Sequence, residues 1–284
     1  MSGRVAVVTD SAANLPLEGR SELGITVVPV LLERQGVLLR DEIDVTSPEF
    51  YAWMREHPEI ATRTASPSAG DFLRVYEKLG DDHAGIVSVH VAAQLSATHA
   101  AALEAARLVG SVSVEVVDSR TASMGLGFGV LEAARAAARG AAADEVRVRA
   151  EEVAHRAKVY VVLDTLRYIH HSGRAPAIAG LMGAAIRVRP VLRVAEGRVR
   201  PCAVQRTLGA GVRRLAALVE REAEGKAVHL AILHGDAASR AAELQHLIEE
   251  RVACVEVHTV QFTPVMGAAT GPGLVGVAFY AERE

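Results

Sequence analysis

Short runs of β-branched and aliphatic residues alternate along the chain with longer segments rich in Ala, Leu, Arg and Glu. The short runs predict strands, and the longer segments between them predict helices. The predicted strands are residues 5–9, 25–32, 85–89, 114–118, 160–163, 188–194, 228–234, 254–260 and 275–280, and the predicted helices are residues 48–56, 69–79, 96–109, 121–139, 144–157, 207–223 and 238–252. Alternation of this kind predicts a parallel sheet covered by helices.

The pattern changes in the second half of the chain. Between residues 186 and 206 two strand-like runs flank Glu196-Gly197, a reverse-turn signal that predicts an antiparallel hairpin. Two long helical segments and further strands follow. We therefore predict an α/β protein of two domains. Residues 1–158 would form a three-layer α/β domain with a mainly parallel sheet, and residues 159–284 a two-layer α+β domain on a mixed or antiparallel sheet.

Several residues mark where the predicted helices begin and end. Gly80, Gly110 and Gly140 each follow a helical segment, which predicts left-handed caps at the three glycines. Ser47 stands before Pro48 and an acidic residue, which predicts an N-cap at Ser47 with proline in the first turn.

Composition and charge narrow the classes of partner. Of the 284 residues 50% are hydrophobic and 23% are charged, which is the balance of a folded globular protein rather than a disordered one. The 31 basic and 34 acidic side chains give a net charge of −3, and only 4% of the residues are aromatic. A nucleic-acid-binding surface is usually basic, so we expect no nucleic-acid partner.

No segment of the sequence has the pattern of an address or a membrane span. The N-terminal apolar run ends by Thr9, too short for a signal peptide. The longest apolar run, residues 177–186, is half of the ~20 residues that a span needs, and it predicts a buried helix. Two cysteines, Cys202 and Cys254, cannot form a disulfide framework, which favours a reducing, cytoplasmic setting.

The familiar cofactor and catalytic motifs are not supported. Gly271, Gly273 and Gly276 match a dinucleotide fingerprint in spacing, but they precede a strand instead of opening a helix. The eleven histidines show no metal-ligand spacing, and there is no phosphate loop or nucleophile elbow. We therefore predict no cofactor and no metal.

Two Asp-Ser pairs, Asp10-Ser11 and Asp118-Ser119, each follow an apolar strand. Such residues commonly cap loops and helices, and this is the interpretation we favour. The carboxyl ends of parallel strands are also where open α/β sheets place ligands. The four residues therefore remain an alternative site for a hydrolase or transferase.

Two loops rich in hydroxyl groups precede predicted helices, Thr64-Ala-Ser66-Pro-Ser68 and Leu95-Ser96-Ala-Thr98. Each brings hydroxyl groups and free backbone N–H groups to a helix N-terminus, where the helix dipole favours an anion. The residues alone fit N-capping at least as well as carboxylate binding.

At these loops the chain resembles the DegV family of bacterial fatty-acid-binding proteins, and the resemblance runs nearly from end to end. Six blocks carry it in order, and together they are specific although each one is weak. They are Val-Val-Thr9-Asp10-Ser11-Ala-Ala-Asn14-Leu15-Pro16, Thr64-Ala-Ser66-Pro67-Ser68, Leu95-Ser96-Ala97-Thr98, Val-Val-Asp118-Ser119 with Ser123-Met124-Gly125-Leu-Gly127, Leu163-Asp164-Thr165-Leu166 with Ser172-Gly173-Arg174, and Thr270-Gly271-Pro272-Gly273.

The resemblance implies a long-chain fatty acid held between two domains. Its carboxylate would be bound by Thr64 and Ser96, with Ser66, Thr98 and Thr270 as further binding residues. Its acyl tail would lie in an apolar tunnel lined largely by the second domain, with residues 177–186 as part of the wall or as an ordinary core helix.

The resemblance also implies a partner. Characterised relatives present the bound acid to a separate fatty acid kinase, which makes an acyl-phosphate for phospholipid synthesis. Arg174 and Arg206 match basic positions near the family's domain cleft and kinase-facing side, although surface ion pairing fits them equally well. The resemblance thus implies a lipid-binding protein rather than an enzyme. The alternatives are a stand-alone hydrolase or transferase, and a lipid carrier or sensor that has no kinase partner.

One departure from the family pattern bears on this partnership. The family usually has a histidine before Thr-Gly-Pro-Gly, thought to lie near the carboxylate and assist phosphoryl transfer, whereas this chain has Ala269. One hypothesis is that another histidine, His90 or His99, supplies the missing hydrogen-bond donor.

Overall fold

The computed structural model describes residues 4–60, 62–181 and 188–283. The strands are β1 Val5–Asp10, β2 Thr26–Val28, β3 Leu31–Arg34, β4 Val37–Arg40, β5 Arg63–Ala65, β6 Gly85–His90, β7 Val114–Asp118, β8 Lys158–Val162, β9 Arg189–Ala195, β10 Arg198–Gln205, β11 Val228–His234, β12 Cys254–Gln261 and β13 Val275–Ala281. The α-helices are α1 Leu17–Glu22, α2 Ser47–Glu56, α3 Ala69–Gly80, α4 Thr98–Leu108, α5 Met124–Ala138, α6 Ala143–Arg156, α7 Arg167–Ser172, α8 Leu208–Ala223, α9 Ala238–Glu249 and α10 Pro264–Thr270.

The first half of the chain forms a four-stranded parallel sheet in the order β2-β1-β6-β7. Successive side chains of β1 point to opposite faces. Ala6 and Val8 pack into the cluster that contains α3 and α4, whereas Val7 packs into the cluster that contains α5. The sheet therefore lies between two helical layers. The predicted parallel sheet with helices on it is confirmed.

The second half forms a six-stranded mixed sheet in the order β10-β9-β8-β13-β11-β12, in which only β11 and β12 pair in parallel. Val162, Leu230 and Val277 on one face pack against α8 and α9. Val161 and Leu192 on the other face belong to the hydrophobic cluster shared with the first half of the chain. Helices α8 and α9 thus cover one face of this sheet, and the other face turns towards the first half of the chain, including α5.

The predicted hairpin is present as β9 and β10. Its turn residues Glu196 and Gly197 both have positive φ, 52° and 70°, which suits the twist of a two-residue hairpin turn. The expectation of an α+β arrangement on a mixed sheet is confirmed. The division at residues 158 and 159 stays a prediction.

A small antiparallel sheet, β4-β3-β5, was not predicted from the sequence. The apolar run 25–32 suggested one strand, but β2 ends at Val28 and β3 begins at Leu31. Pro29 lies between them, and proline has no N–H group to donate to a ladder. In β5, Thr64 pairs with Leu32 of β3, which fixes the backbone of the first hydroxyl-rich loop.

Some predicted helix ends are wrong. Only Gly140 of the three glycines has positive φ, at 84°, while Gly80 is the last residue of α3. The N-cap of α2 is Thr46 rather than Ser47, because the Glu49 carboxylate accepts the Thr46 N–H at 2.9 Å. Of the buried helix predicted at 177–186, Pro176–Leu181 forms a 3₁₀ helix, and residues 182–187 lie outside the described residues.

Candidate functional site

A largely apolar cavity lies between the first half of the chain and the face of the six-stranded sheet that is turned away from α8 and α9. The space between its walls, counted out through the open mouth, is about 900 Å³. Val161 and Leu192 form part of one wall, and Val91 and Leu95 form part of the opposite wall. The cavity is therefore built from both halves of the chain.

Hydroxyl groups from the two predicted loops meet at this cavity. Thr64 and Ser96 both line it. The Ser96 Oγ lies 3.0 Å from the Ser66 Oγ and 2.8 Å from the Thr98 Oγ1, within hydrogen-bond distance of both. Ser66 and Thr98 thus contact Ser96 instead of lining the cavity. The two loops are separate in sequence but form one hydroxyl cluster.

Local structure places these loops. Ser68 is the N-cap of α3 and its Oγ accepts the Asp71 N–H at 3.2 Å, so the loop that carries Thr64 leads directly into a helix start. Ser96 precedes α4, and its Oγ accepts the Thr98 N–H at 3.3 Å. Ser68 therefore caps its helix, as the N-capping interpretation expects, whereas the N-cap of α4 is Ala97 and Ser96 lies one residue before it. Neither hydrogen bond excludes a ligand role for Ser96, which lines the cavity.

Arg174 brings a positive charge to the apolar cavity. Its side chain is half-buried and lines the cavity. The Arg174 Nη2 donates to the Thr64 Oγ1 at 2.8 Å, and its Nη1 donates to the Ser172 carbonyl oxygen at 3.0 Å. Burial lowers the pKa of the guanidinium, and no carboxylate pairs with it among the described residues. A half-buried cation of this kind is best satisfied by an anionic ligand group.

The remaining predicted site residues differ in their placement. Thr270 lines the cavity, but its Oγ1 donates to the Met266 carbonyl oxygen at 2.8 Å, which satisfies the hydroxyl within α10. Arg206 is exposed between β10 and α8 and is not part of the cavity wall. Its role in contacting a partner stays a prediction.

Neither histidine proposed to replace the family's histidine lies at the cavity. Ala269 lines it, whereas His90 is completely buried elsewhere. The His90 Nδ1 lies 3.0 Å from the Asp10 Oδ2, and its Nε2 lies 2.7 Å from the Ser88 Oγ. His99 is also not part of the cavity wall. The hypothesis that His90 or His99 supplies the missing donor is therefore wrong, because neither lines the cavity. Arg174 is a charged hydrogen-bond donor that does line it.

The buried group of Asp10, His90 and Ser88 has the residue types of a hydrolase triad but not its accessibility. All three side chains are 0% exposed, and the Tyr76 hydroxyl donates to the Ser88 Oγ at 2.8 Å. The Asp10 carboxylate also accepts the Val91 N–H at 3.0 Å, which fixes the end of β6. No substrate can reach the serine, so this group stabilises the sheet.

The two Asp-Ser pairs act as caps, as favoured from the sequence. The Ser11 Oγ accepts the Val30 N–H, and the Asp118 Oδ1 accepts the Ala93 N–H at 3.2 Å. Ser11 and Ser119 line two different depressions rather than one cleft. The geometry therefore gives no support to a hydrolase or transferase site at these residues.

The sequence is similar to known proteins over nearly the whole length of the chain. A sequence model of the DegV family, described as uncharacterised proteins, matches residues 4–282. The chain belongs to the DegV family. It is 36% identical to a DegV domain-containing protein of Streptomyces coelicolor over 279 residues, which cover 98% of both chains. It is 27% identical to protein DegV of Bacillus subtilis, over 97% of this chain and 98% of that one.

Solved structures of DegV proteins show the same fold. One is a DegV family protein of Thermus thermophilus that is described by its fatty acid binding. It matches with a TM-score of 0.90 and 28% identity, and the match covers 98% of this chain and 100% of that chain. DegV of Bacillus subtilis, described as a fatty acid binding protein, matches with a TM-score of 0.87 and 25% identity over 99% and 100% of the two chains. The predicted α/β fold and the resemblance to DegV proteins are confirmed.

Sequence reasoning missed part of this DegV cavity. Val265 and Met266 of α10 line it, together with Phe262 two residues before the helix. The dipeptide Thr263-Pro264 is a helix-start signal, an N-cap followed by proline at the first helical position, and could have revealed this helix.

The described ranges 4–60, 62–181 and 188–283 contain no group of His, Cys, Asp or Glu arranged to hold a metal ion. Within the same ranges no helix has the length and apolarity that a membrane span requires.

Proposed function

We propose that this DegV protein binds a long-chain fatty acid non-covalently, with the carboxylate at Thr64, Ser96 and Arg174 and the acyl tail in the apolar cavity. One observation carries the proposal. A half-buried guanidinium without a carboxylate partner among the described residues stands at the wall of a cavity lined mainly by aliphatic side chains. A long-chain carboxylate complements both features. The relatives from Thermus thermophilus and Bacillus subtilis, described by fatty acid binding, support the same ligand class.

The acyl tail supplies most of the binding free energy in this proposal. Burying about fourteen methylene groups at ~0.8 kcal/mol each contributes roughly 11 kcal/mol. Lost translational freedom and chain ordering cost on the order of 4–15 kcal/mol. The carboxylate contacts therefore decide which end of the acid lies at Arg174. A hydrogen bond to a charged group adds about 1.5–3 kcal/mol, enough to fix that orientation.

The second part of the proposal is a partner. We propose that the protein presents the bound carboxylate to a fatty acid kinase, which forms an acyl-phosphate for phospholipid synthesis. The family resemblance supports this step, and the free cysteines Cys202 and Cys254 fit the cytoplasmic setting in which it would occur. Ala269, which lines the cavity where the family has a histidine, favours the alternative of a carrier or sensor without a kinase.

A binding experiment with matched arginine variants tests the first part. Native mass spectrometry of the purified protein is followed by titration with hexadecanoic acid and with its methyl ester. We expect one acid per chain, and we expect Arg174→Met to weaken acid binding at least about tenfold. Because the ester has no charge, its affinity should change little in this variant. Arg200→Met is the control, since Arg200 is exposed on β10 and is not part of the cavity wall.

Two results would overturn the proposal. A protein that neither carries nor takes up a fatty acid cannot be a fatty-acid-binding protein. A protein that binds acid and ester equally before and after Arg174→Met does not use this guanidinium for the carboxylate.

The kinase step needs its own assay. The loaded protein is incubated with ATP and a purified DegV-associated fatty acid kinase, and acyl-phosphate is measured for the wild type and for Ala269→His. Formation of acyl-phosphate supports presentation to a kinase. No product from either protein, despite bound acid, favours the carrier or sensor.

A further inference from the structure

Ser123 is a polar residue of the cavity wall that the carboxylate site does not use. It lies in the loop between β7 and α5, it is one of the residues that line the cavity, and it is 1% exposed. The Ser123 Oγ has no hydrogen-bond partner among the described residues. A buried hydroxyl without a partner is costly, so buried hydroxyl groups are almost always paired.

The backbone at Ser123 has an unusual conformation that its neighbours hold in place. Its φ of 53° and ψ of −146° belong to a region that glycine adopts freely and other residues adopt at a cost. The Ser123 N–H donates to the Ala12 carbonyl oxygen at 2.9 Å, and the Ser123 carbonyl oxygen accepts the Gly127 N–H at 2.9 Å. Both backbone groups are thus held by neighbours. The chain keeps a side chain at a position where glycine would relieve the strain.

Helix capping does not explain the serine. Ser123 is the N-cap of α5, a position where a serine hydroxyl usually accepts a backbone N–H of the first turn. Here the side chain makes no capping hydrogen bond. The hydroxyl is therefore not used by the helix, and capping gives no reason for a serine at this position.

The wall around Ser123 is apolar. Ala12, Ala122 and Val159 line the same cavity, and their side chains offer no hydrogen-bond partner. Within the described part of the chain no hydrogen bond joins Ser123 to the cluster of Thr64, Ser96 and Arg174. The residues that line the cavity thus include a second polar residue, which is not hydrogen-bonded to the carboxylate cluster.

We propose that the Ser123 hydroxyl binds an oxygen substituent on the acyl chain, so that the cavity accepts hydroxylated fatty acids as a ligand class. This inference rests on the proposed function and deepens it. An unsubstituted tail leaves the Ser123 hydroxyl unpaired, whereas a hydroxyl at the matching carbon satisfies both groups by one hydrogen bond. A site with a hydrogen-bond partner for a ligand hydroxyl group also binds the unsubstituted analogue less tightly, because the partner is then left unpaired.

The test is a cycle of two proteins and two kinds of ligand. Dissociation constants are measured for octadecanoic acid and for a positional series of hydroxyoctadecanoic acids, with the wild type and with Ser123→Ala. The quantity compared is the ratio of the octadecanoic acid constant to the hydroxy acid constant. For at least one isomer we expect Ser123→Ala to lower this ratio about fivefold, since the ligand hydroxyl is then buried without a partner.

The dissociation constant for unsubstituted octadecanoic acid is a second measurement, and for this ligand the variant is not expected to bind more weakly. Ser123→Ala should bind octadecanoic acid as tightly as the wild type or more tightly, because the variant removes an unpaired polar group from the wall. Ser123→Gly should behave in the same way and also relieve the backbone strain, which makes it a second variant if the alanine does not fold. Ser21→Ala, on the exposed face of α1, is the control and should change neither constant.

The outcomes separate the two proposals. If octadecanoic acid binds but every isomer keeps the same ratio in the wild type and both Ser123 variants, the inference is overturned and the fatty acid function stands. If no fatty acid binds the wild type, the proposed function fails and the inference fails with it.

Discussion

Asp41 joins the small antiparallel sheet to helix α10, which forms part of the cavity wall. The residue is 1% exposed, and its Oδ1 accepts the Val265 N–H in the first turn of the helix at 3.1 Å. The Asp41 N–H donates to the Val30 carbonyl oxygen at 3.0 Å, which fixes the residue from the other side. Its Oδ2 has no hydrogen-bond partner among the described residues. The variant Asp41→Asn tests the effect of this buried carboxyl group on stability.

Burial makes Asp41 hold a proton far above the usual range. Desolvation is the largest cause and raises the pKa of the carboxyl from 3.8 to about 7, although the nearby hydroxyls of Ser11 and Thr263 and the Val265 N–H act in the opposite direction. Between these two values the folded protein binds a proton that the unfolded chain has released. The free energy of unfolding therefore falls as pH rises from about 4 to 7 and is constant above that. The difference between 3.8 and about 7 corresponds to a decrease of at most about 4 kcal/mol.

Asparagine keeps the shape of the side chain and removes the titration. Its carbonyl oxygen can still accept the Val265 N–H, and its amide can donate to the buried Thr263 hydroxyl, which has no partner among the described residues. Urea unfolding at pH values from 5 to 8.5 measures both proteins. We expect Asp41→Asn to be more stable than the wild type by up to about 4 kcal/mol above pH 8, and by clearly less at pH 5, where the Asp41 carboxyl of the folded wild type still holds its proton.

A neighbouring aspartate supplies the control. Asp44 is ionised throughout this range, because the Arg40 guanidinium lowers the pKa of its carboxyl to about 2. Asp44→Asn should therefore shift the stability curve by a constant amount and leave its slope between pH 5 and 8.5 unchanged. The reasoning is refuted if Asp41→Asn and the wild type give parallel curves, since the Asp41 carboxyl would then not titrate in this window.

Two further substitutions test packing and buried charge. Gly271→Ala should lower the free energy of unfolding by about 1–3 kcal/mol or more, because φ is +78° and a methyl group would collide with the Tyr168 ring. Gly36→Ala, with φ of +81° and open space around it, is the matched control and should lose clearly less. Glu132→Gln should cost about 2–3 kcal/mol in urea unfolding, because its 9%-exposed carboxylate neutralises two arginines that are themselves about one-third exposed. An unchanged stability would show that this network is solvated.

The sequence predicted the sheets whose strands are buried and regular. In β6 all six residues are buried, which is why residues 85–89 read as an uninterrupted apolar run. The antiparallel sheet of β4, β3 and β5 escaped prediction because its signals are short and partly polar. Arg63–Ala65 has three residues, and Val37–Arg40 has no buried one. Such strands are defined by their partners rather than by their own pattern.

The candidate site was predictable only in part. The hydroxyl-rich loops point to Thr64 and Ser96 because helix starts and hydroxyl groups are visible in sequence. The hydrogen bond from Arg174 to Thr64 joins residues 110 positions apart, and no local pattern encodes it. In the sequence, Ser123 is visible only as one residue of a block that resembles the DegV family. Its importance depends on a missing hydrogen bond and an unusual φ, which only a three-dimensional structure provides.

The position of the cavity follows from the way the six-stranded sheet is covered. One face packs against α8 and α9, so the apolar side chains of the other face need a second cover. Phe128 of α5 covers Tyr280 at one part of that face, with ring centroids 5.2 Å apart, while Val161 and Leu192 line the cavity instead. A bound acyl tail would then complete the core of the protein. Binding and folding are linked for this reason, and a ligand at a hundred times its dissociation constant adds about 2.7 kcal/mol to stability. A ligand-free preparation is accordingly expected to unfold at a lower temperature than the loaded protein, and the shift should grow with each methylene that the cavity can still bury.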